Sequence, residues 1–198
     1  MILRLILVIL WVYVLTVLKR GKLGFYYFLL GSVGTFLILL GVMPYVKSYF
    51  INAFVWVLGI VGRLTGMYES YAQFGMFFID HNDTVMSLYV DLECSGLIEM
   101  MVFVSLLAFF PVYHLWEKLK AGVLGLFCIC VFNFIRIFII IAMIFHFGTS
   151  MYSFAHVIVG RIVFYVLTLI LYFHVFTRGQ IVKQKVGKFN YEGLDDKQ

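Results

Sequence analysis

Charged residues are scarce in this chain. Only 13% of its 198 residues are Asp, Glu, Lys or Arg, while 64% are hydrophobic, and the mean hydropathy is +1.03. A soluble domain is about half apolar and about a quarter charged. A chain of this length cannot bury so much apolar surface in one small core, so the composition excludes an ordinary soluble domain and indicates an integral membrane protein.

Cysteine is also rare, with only Cys94, Cys128 and Cys130 in the chain. Three cysteines make no disulfide framework. Cys128 and Cys130 lie inside an apolar run, where a free cysteine behaves as a small hydrophobe, whereas Cys94 lies where a polar segment meets an apolar one. The net charge of +5 does not indicate nucleic-acid binding, because basic residues in membrane proteins more often mark cytoplasmic loops.

Long apolar runs dominate the chain. A membrane-spanning helix needs about 20 apolar residues, and five segments meet or nearly meet this length: 2–18, 23–43, 95–114, 121–147 and 154–176. The first has no small-residue cleavage site and is expected to remain as a transmembrane helix. We predict an all-α polytopic bundle of five to six transmembrane helices, as a single membrane domain over 1–176, with a flexible cytoplasmic tail over 177–198.

Three basic clusters predict the orientation in the membrane. The positive-inside rule is satisfied when all of them are cytoplasmic: Lys19, Arg20 and Lys22; Lys118 and Lys120; and Arg178, Lys183, Lys185 and Lys188. The N-terminus is then outside and the C-terminus inside. Residues 44–93 begin and end outside, so the shorter apolar stretch 49–66 cannot cross once. We expect it to be interfacial or re-entrant.

Residues 68–93 differ in kind from the rest. The turn cluster 80–83, Asp-His-Asn-Asp, is flanked by alternating segments that contain Tyr, Phe, Val and Thr. This pattern predicts a β-hairpin on the outer face. Its second strand leads to Cys94, where a helix begins, and the hairpin residues Tyr89 and Asp91 are expected to line the path of a substrate.

Few polar groups lie inside the predicted helices, and such groups are costly and usually functional. They are Glu99, Arg136 and Arg161, with His156 near a helix end and Asn133 on the same helix face as Arg136. The predicted topology brings Cys94, Arg136 and His156 together from three helices. Arg136 precedes Gly148 by 12 residues, or roughly 18 Å of helix, so we expect a short helix or a site sunk below the surface.

The chemistry of Cys94, His156 and Arg136 is coherent. A thiol becomes a good nucleophile when a neighbouring imidazole or cation lowers its pKa. His156 could take the thiol proton and give it to a leaving amine, while Arg136 could stabilise the thiolate or an oxyanion. Ser95 could cap the following helix, and Gly96 could let a substrate backbone approach closely.

Other interpretations stay open at this point. The cysteine could be inert packing, His156 and Arg161 could be interfacial residues, and Arg136 could form a structural pair with Glu99. His146 and His81 are alternative imidazoles. A metal site is conceivable, without tight ligand spacing, from Asp80, His81, Asp83 and His146.

Three short motifs resemble those of the exosortase/archaeosortase family. They are Glu93-Cys94-Ser95-Gly96-Leu97, Asn133-Phe134-Ile135-Arg136 and His156-Val157-Ile158-Val159-Gly160, which look like the C-S-G, N-x-x-R and H-x-x-x-G blocks in family order. The resemblance covers about residues 68–176 and is closest to the compact G-type exosortases of Gram-positive bacteria. Glu99 is a departure, because many members carry Arg or Gln shortly after the C-S-G block.

The resemblance implies a membrane cysteine peptidase or transpeptidase that cleaves a C-terminal sorting signal of a membrane-anchored protein through a thioester. By carry-over Cys94 is the nucleophile, His156 the general base and acid, and Arg136 the electrostatic partner. We expect the substrate to contact five residues near them: Glu93, Ser95, Gly96, Glu99 and Asn133. No cofactor or metal is indicated. Two rivals are a non-enzymatic scaffold for a surface-polysaccharide or glycosyltransferase system and a channel or transporter.

Overall fold

The structure is a computed structural model that describes residues 2–81 and 84–177, with all side chains in those ranges except those of residues 2–4, 80, 81, 84 and 93. The tail predicted for 177–198 therefore lies, beyond its first residue, outside the described residues. The described helices are α1 Ile2–Arg20, α2 Gly24–Thr65, α3 Leu92–Ser95, α4 Leu97–Phe109, α5 Leu115–Phe147 and α6 Thr149–Thr177. The strands are β1 Glu69–Tyr71, β2 Met76–His81 and β3 Thr84–Tyr89.

Three of these helices, α2, α5 and α6, are long and apolar enough to cross a membrane. The mostly helical, membrane-type fold predicted from the composition is confirmed at this level. The 33 residues of α5 extend about 50 Å, which exceeds the roughly 30 Å of a bilayer core. Each of α2 and α5 is therefore long enough to continue well beyond a membrane.

The separate segment predicted for 49–66 does not form. These residues continue α2, a single helix of 42 residues that contains Pro44. Proline removes one helical hydrogen bond without always ending the helix, and here the residues after Pro44 pack on the sheet, which keeps the helix continuous. The prediction of a spanning helix over 95–114 is also too long, because α4 ends at Phe109, before Phe110 and Pro111, and a residue before proline disfavours the helical conformation.

The predicted hairpin over 68–93 is present and carries a third strand. The order is β1-β2-β3, with both pairs antiparallel. Phe77 pairs with Ser70 on one side and Leu88 on the other. Along β3 the side chains alternate, so that Leu88 is buried while Val85 and Tyr89 are more than half exposed. One face of the sheet therefore packs on the protein and the other is open.

Two clusters of buried residues form the interior. The sheet-side core joins the second half of α2, the covered face of the sheet and the last turns of α5: Ile51, Phe54, Val55, Leu58, Tyr68, Phe77, Ile79, Leu88, Val90, Ile137, Ile140, Ile141, Ile144 and Ala155. The helical core lies between α4, α5 and α6: Met100, Phe103, Leu107, Ile129, Phe164 and Leu171. Along α5, the two cores meet between Ile129 and Ile137, which is where Asn133 and Arg136 lie.

Candidate active site at the junction of the two cores

Cys94 lies in a single helical turn between β3 and α4. The Asp91 carboxylate begins this turn by accepting a hydrogen bond from the Leu92 amide at 2.6 Å. That amide first, and then the Lys47 ammonium at 3.2 Å, hold the pKa of Asp91 below its ordinary value. The turn ends at Gly96, whose φ of +74° is in the left-handed region that favours glycine. The chain thus reverses directly after the cysteine and enters α4.

Asn133 on α5 fixes the backbone of this turn. Its Nδ2 donates to the Cys94 carbonyl at 2.8 Å, and the Asn133 side chain is completely buried. A Cβ on Gly96 would lie 3.3 Å from Asn133 Cγ, so the glycine also lets the turn approach α5. The sequence predicts that Gly96 lets a substrate backbone approach closely, whereas in the structure the neighbour that lies close to this glycine is Asn133.

Arg136 lies one helical turn beyond Asn133 and points towards the thiol. Its Nη2 donates to Cys94 Sγ at 3.8 Å, and its guanidinium carbon lies 5.6 Å from the centre of the Phe164 ring. The side chain is only 5% exposed. An arginine over an aromatic face is stabilised by the ring quadrupole, more so when it is desolvated. Phe164 from the helical core therefore supports a cation beside the cysteine of the neighbouring turn.

His156 approaches Cys94 from α6, within the π-helical segment Ala155–Val159. Such segments are rare and are frequent at functional sites. The imidazole stacks on Tyr152, with ring centres 5.4 Å apart. A Cβ on Gly160 would lie 2.9 Å from Ile140 Cδ1, so this glycine allows α6 to pack closely on α5 and brings His156 towards the site.

The three side chains predicted to be catalytic are brought together. Cys94 Sγ and His156 Nε2 are 2.9 Å apart, and the tautomer of the imidazole decides which atom donates. Cys94 and His156 are half-buried, whereas Arg136 is almost fully buried. The thiol and the imidazole therefore have access to a ligand, while the guanidinium acts from below them in a nearly water-free environment.

The residues expected to contact a substrate are placed differently. Ser95 and Asn133 have no exposed surface, and Ser95 Oγ instead donates to the Leu92 carbonyl at 2.8 Å and accepts from the Leu97 amide at 3.3 Å. Ser95 thus accepts from the first amide of α4, but it is not the N-cap of that helix as predicted, because Gly96 occupies the N-cap position. The Glu93 side chain lies outside the described part of the structure.

Glu99 lies on the first turn of α4, near Arg136. The guanidinium acts on the carboxylate electrostatically, but Oε2 is buried without a hydrogen-bond partner among the described residues. The side chains therefore do not form the close structural pair that was one interpretation of Arg136. The arginine is directed at the cysteine instead.

Two of the alternative site residues, His146 and Arg161, do not contribute to the site at Cys94. His146 is exposed at the end of α5, and Arg161 is exposed on α6. Within the described residues no three His, Cys, Asp or Glu side chains are grouped for a metal ion, and three members of the conceivable metal site, Asp80, His81 and Asp83, have side chains outside that part. A groove of about 1190 Å³ lies elsewhere, between the end of α2 and the sheet beside Trp56 and Arg63.

Sequence reasoning missed Tyr152 and Phe164, which support His156 and Arg136. Tyr152 precedes His156 by four residues, a helical spacing that places two rings on one face, so a local signal existed. Phe164 comes from another helix than Arg136, and no sequence spacing indicates that contact. Comparison with family models, with curated proteins and with solved structures found no match to this chain.

Proposed function

We propose that the chain is a polytopic membrane cysteine peptidase or transpeptidase of the exosortase type. The observation that carries the proposal is the 2.9 Å contact between Cys94 Sγ and His156 Nε2, with Arg136 Nη2 at 3.8 Å from the same sulfur. A nucleophile with a base within hydrogen-bond distance is the signature of covalent acyl transfer, and a cation beside the sulfur favours the thiolate. Cys128 and Cys130 have no such surroundings on the described part of the chain.

In the proposed first step, the Cys94 thiol transfers its proton to His156 and the sulfur attacks a peptide carbonyl. The tetrahedral intermediate collapses when His156 returns that proton to the leaving amine, and a thioester to Cys94 remains. Water or a second amine then attacks the thioester and releases the thiol. Arg136 favours the thiolate and the oxyanion because its charge is already in place in a dry environment.

The proposed substrate is a membrane-anchored surface protein whose C-terminal sorting signal contains an apolar helix. An enzyme and a substrate that are both confined to the bilayer plane meet by diffusion within that plane. Cys94 lies at the end of the apolar helices and at the base of the sheet, which suits a bond just outside the substrate's own helix. We propose five to six crossings, with the sheet and the site on the extracytoplasmic side, following the basic clusters.

The test of function compares the membrane proteins of cells that naturally produce the chain with those of cells that carry Cys94→Ala. We expect wild-type cells to remove the C-terminal helix from a set of helix-tailed proteins and Cys94→Ala cells to retain it, as measured by mass spectrometry of C-terminal peptides. Cys128→Ala is the matched control and should process normally. Normal processing by Cys94→Ala would remove the nucleophile and favour a non-enzymatic scaffold.

The proposed orientation has its own test. A membrane-impermeant maleimide is added to intact cells that produce a Cys128→Ala/Cys130→Ala variant, in which Cys94 is the one remaining thiol. Labelling from outside supports an extracytoplasmic site. Labelling that occurs only after the membrane is permeabilised would place the site on the cytoplasmic side.

A further inference from the structure

The outer strand β3 ends a few residues before the nucleophile and has an open edge. The sheet order places β3 at one side, and within the part of the chain that the structure describes β2 is its only partner strand. The strand at the other side, β1, lies against α2, where a Cβ on Gly59 would overlap Ser70. Because β3 is the strand that leads to Cys94, the unpaired edge nearest the candidate site along the chain is that of β3.

The register shows which backbone groups face this edge. The Val90 amide donates to the Gly75 carbonyl at 2.9 Å, so these residues form a hydrogen-bonded pair that continues the β2–β3 ladder. Hydrogen-bonded pairs alternate along an antiparallel ladder. The N–H and C=O groups of Val85, Ser87 and Tyr89 must then point away from β2, towards the open edge.

Among residues 2–81 and 84–177, this edge shows none of the usual protection. Natural proteins block edge strands with charges, proline, bulges or a covering segment. The sequence of β3, TVMSLY, contains neither a charge nor a proline, and its pairing with β2 is continuous over six residues. Among the described residues no side-chain hydrogen bond occupies the amides of Val85, Ser87 or Tyr89. Such a strand is a template for an extended peptide.

We propose that the β3 edge binds the substrate segment that precedes the scissile bond, as a fourth strand parallel to β3. The inference rests on the proposed function, because the direction follows from a C-terminal membrane anchor. The substrate chain must run from the sheet towards the membrane, and β3 runs the same way, towards Cys94. The added strand therefore delivers its final carbonyl to the thiol. Its outward side chains lie beside the exposed Val85 and Tyr89, which favours uncharged residues there.

The probe is a pool of randomised eight-residue peptides that end in a chloromethyl ketone. At about 3.3 Å per residue, eight residues span about 26 Å, enough to cover β3 and reach Cys94. The sulfur displaces chloride, forming an S–C bond and breaking the C–Cl bond, so the rate of Cys94 alkylation reports occupancy before the scissile bond. Chloroacetone is the control without a peptide. The protein is the full chain in detergent micelles with Cys94 as its one thiol.

The protein variant that tests the edge is Ser87→Pro. Proline is accepted on an edge strand where its missing N–H faces outward, so β2 pairing is retained while the edge loses a donor. We expect the peptide pool to alkylate Cys94 at least roughly tenfold faster than chloroacetone does when the β3 edge is unmodified. Ser87→Pro should slow the reaction with the peptides about tenfold and leave the reaction with chloroacetone unchanged. Ser87→Ala keeps the backbone donor and should change neither rate.

A second measurement leaves the protein untouched. In an added strand, alternate peptide amides face β3, so N-methylation of one alternate set should lower the rate roughly tenfold or more, and N-methylation of the other set should not. If the rate of Cys94 alkylation does not alternate between the two sets of N-methylated peptides, the inference is overturned. It is also overturned if Ser87→Pro leaves the rate of alkylation by the peptides unchanged. If Cys94 still reacts with iodoacetamide in a His156-dependent way, such a result leaves the proposed function standing. Loss of that dependence contradicts the function itself.

Discussion

The sheet-side core and the helical core are both apolar, but they are built from different elements. The sheet-side core combines helix ends with strands and is mainly aliphatic, with Leu58, Ile141 and Ile144 fully buried. The helical core contains helices alone, and Phe103 packs there against Tyr172 and Phe176. If the chain lies in the membrane as proposed, water surrounds the sheet-side core and lipid surrounds the helical core. The hydrophobic effect then stabilises only the sheet-side core, because lipid is as apolar as a leucine side chain.

The largest expected effect tests this difference directly. Leu58 and Leu107 are 0% and 4% exposed. Leu58→Ala should cost about 2–5 kcal/mol of the free energy of unfolding of the sheet-side core, through lost transfer energy and a cavity. Leu107→Ala should cost less in the helical core, because it loses packing without the transfer term. Hydrogen exchange in micelles with increasing urea measures both regions in one experiment.

Leu64→Ala is the matched control for that pair, since Leu64 is 81% exposed and should change stability by less than about 0.5 kcal/mol. Equal losses for Leu58→Ala and Leu107→Ala would contradict a difference in solvent between the two cores.

A smaller effect is expected where the cores meet. Asn133→Ala removes the donor to the Cys94 carbonyl and leaves that group without this partner, at a cost of about 1–3 kcal/mol. The turn that carries Cys94 should then loosen, and the rate of Cys94 alkylation by iodoacetamide should fall several-fold. Ser105→Ala is the control, because Ser105 is also buried but donates only to Val102 of its own helix. An unchanged rate in Asn133→Ala would show that the carbonyl contact does not position the thiol.

Alanine substitutions at two glycines with positive φ distinguish the effect of backbone strain from the effect of a new side-chain contact. Gly66 and Gly96 have φ of +67° and +74°, so alanine costs about 1–2 kcal/mol at either position. Only at Gly96 does the new Cβ also meet Asn133, at 3.3 Å. We therefore expect Gly96→Ala, and not Gly66→Ala, to slow Cys94 alkylation while both lower the thermal midpoint by similar amounts. If Cys94 alkylation is slow in both variants, the cause is a general loss of stability and not the contact with Asn133.

The smallest effect is a pH dependence of the sheet-side core. Burial raises the pKa of Tyr68 to about 12, and its hydroxyl donates to the Leu58 carbonyl at 2.6 Å. Because the folded pKa lies above the unfolded value of about 10, the stabilisation is fully present below pH 10 and is lost as the pH rises towards 12. Tyr68→Phe should lower the free energy of unfolding by about 1 kcal/mol at neutral pH. It should also abolish the loss of stability between pH 10 and 12.

Tyr71→Phe is the control, because it leaves Tyr68 in place. Its stability should depend on pH as that of the wild type does when both are measured by hydrogen exchange. If the free energy of unfolding of the Tyr68→Phe protein falls as steeply as that of the wild type between pH 10 and 12, other groups cause the loss of stability.

The sequence predicted the hairpin because alternation over β2 and β3 is a local signal, but it did not predict β1, which has only three residues. Pro44 and Lys47 suggested a boundary where α2 in fact continues, since tertiary packing of Ile51 and Leu58 on the sheet outweighs one missing hydrogen bond. The second half of α2 and the end of α5 together also explain why Arg136 lies so far from the end of its helix. The sheet-side core extends the protein beyond Arg136, and the site lies at its base.

The grouping of Cys94, Arg136 and His156 was predicted from the topology and from three short motifs that resemble a known set. Spacing alone could not have shown it, because the residues come from three elements. The roles of the motif glycines required the structure. Gly96 and Gly160 matter for what lies opposite them, Asn133 and Ile140, and a sequence does not reveal which residue a glycine faces. The same limit applies to Phe164 beneath Arg136.

The most direct test of the central claim, that His156 activates Cys94, is the rate of Cys94 alkylation by iodoacetamide at pH 7. It is measured in the Cys128→Ala/Cys130→Ala background with His156→Ala and, as the matched control, His146→Ala, whose imidazole is exposed on α5. We predict that His156→Ala slows the reaction roughly tenfold, while His146→Ala leaves it unchanged. Equal rates in all three proteins would show that the imidazole beside the thiol does not activate it and would contradict the proposed enzyme.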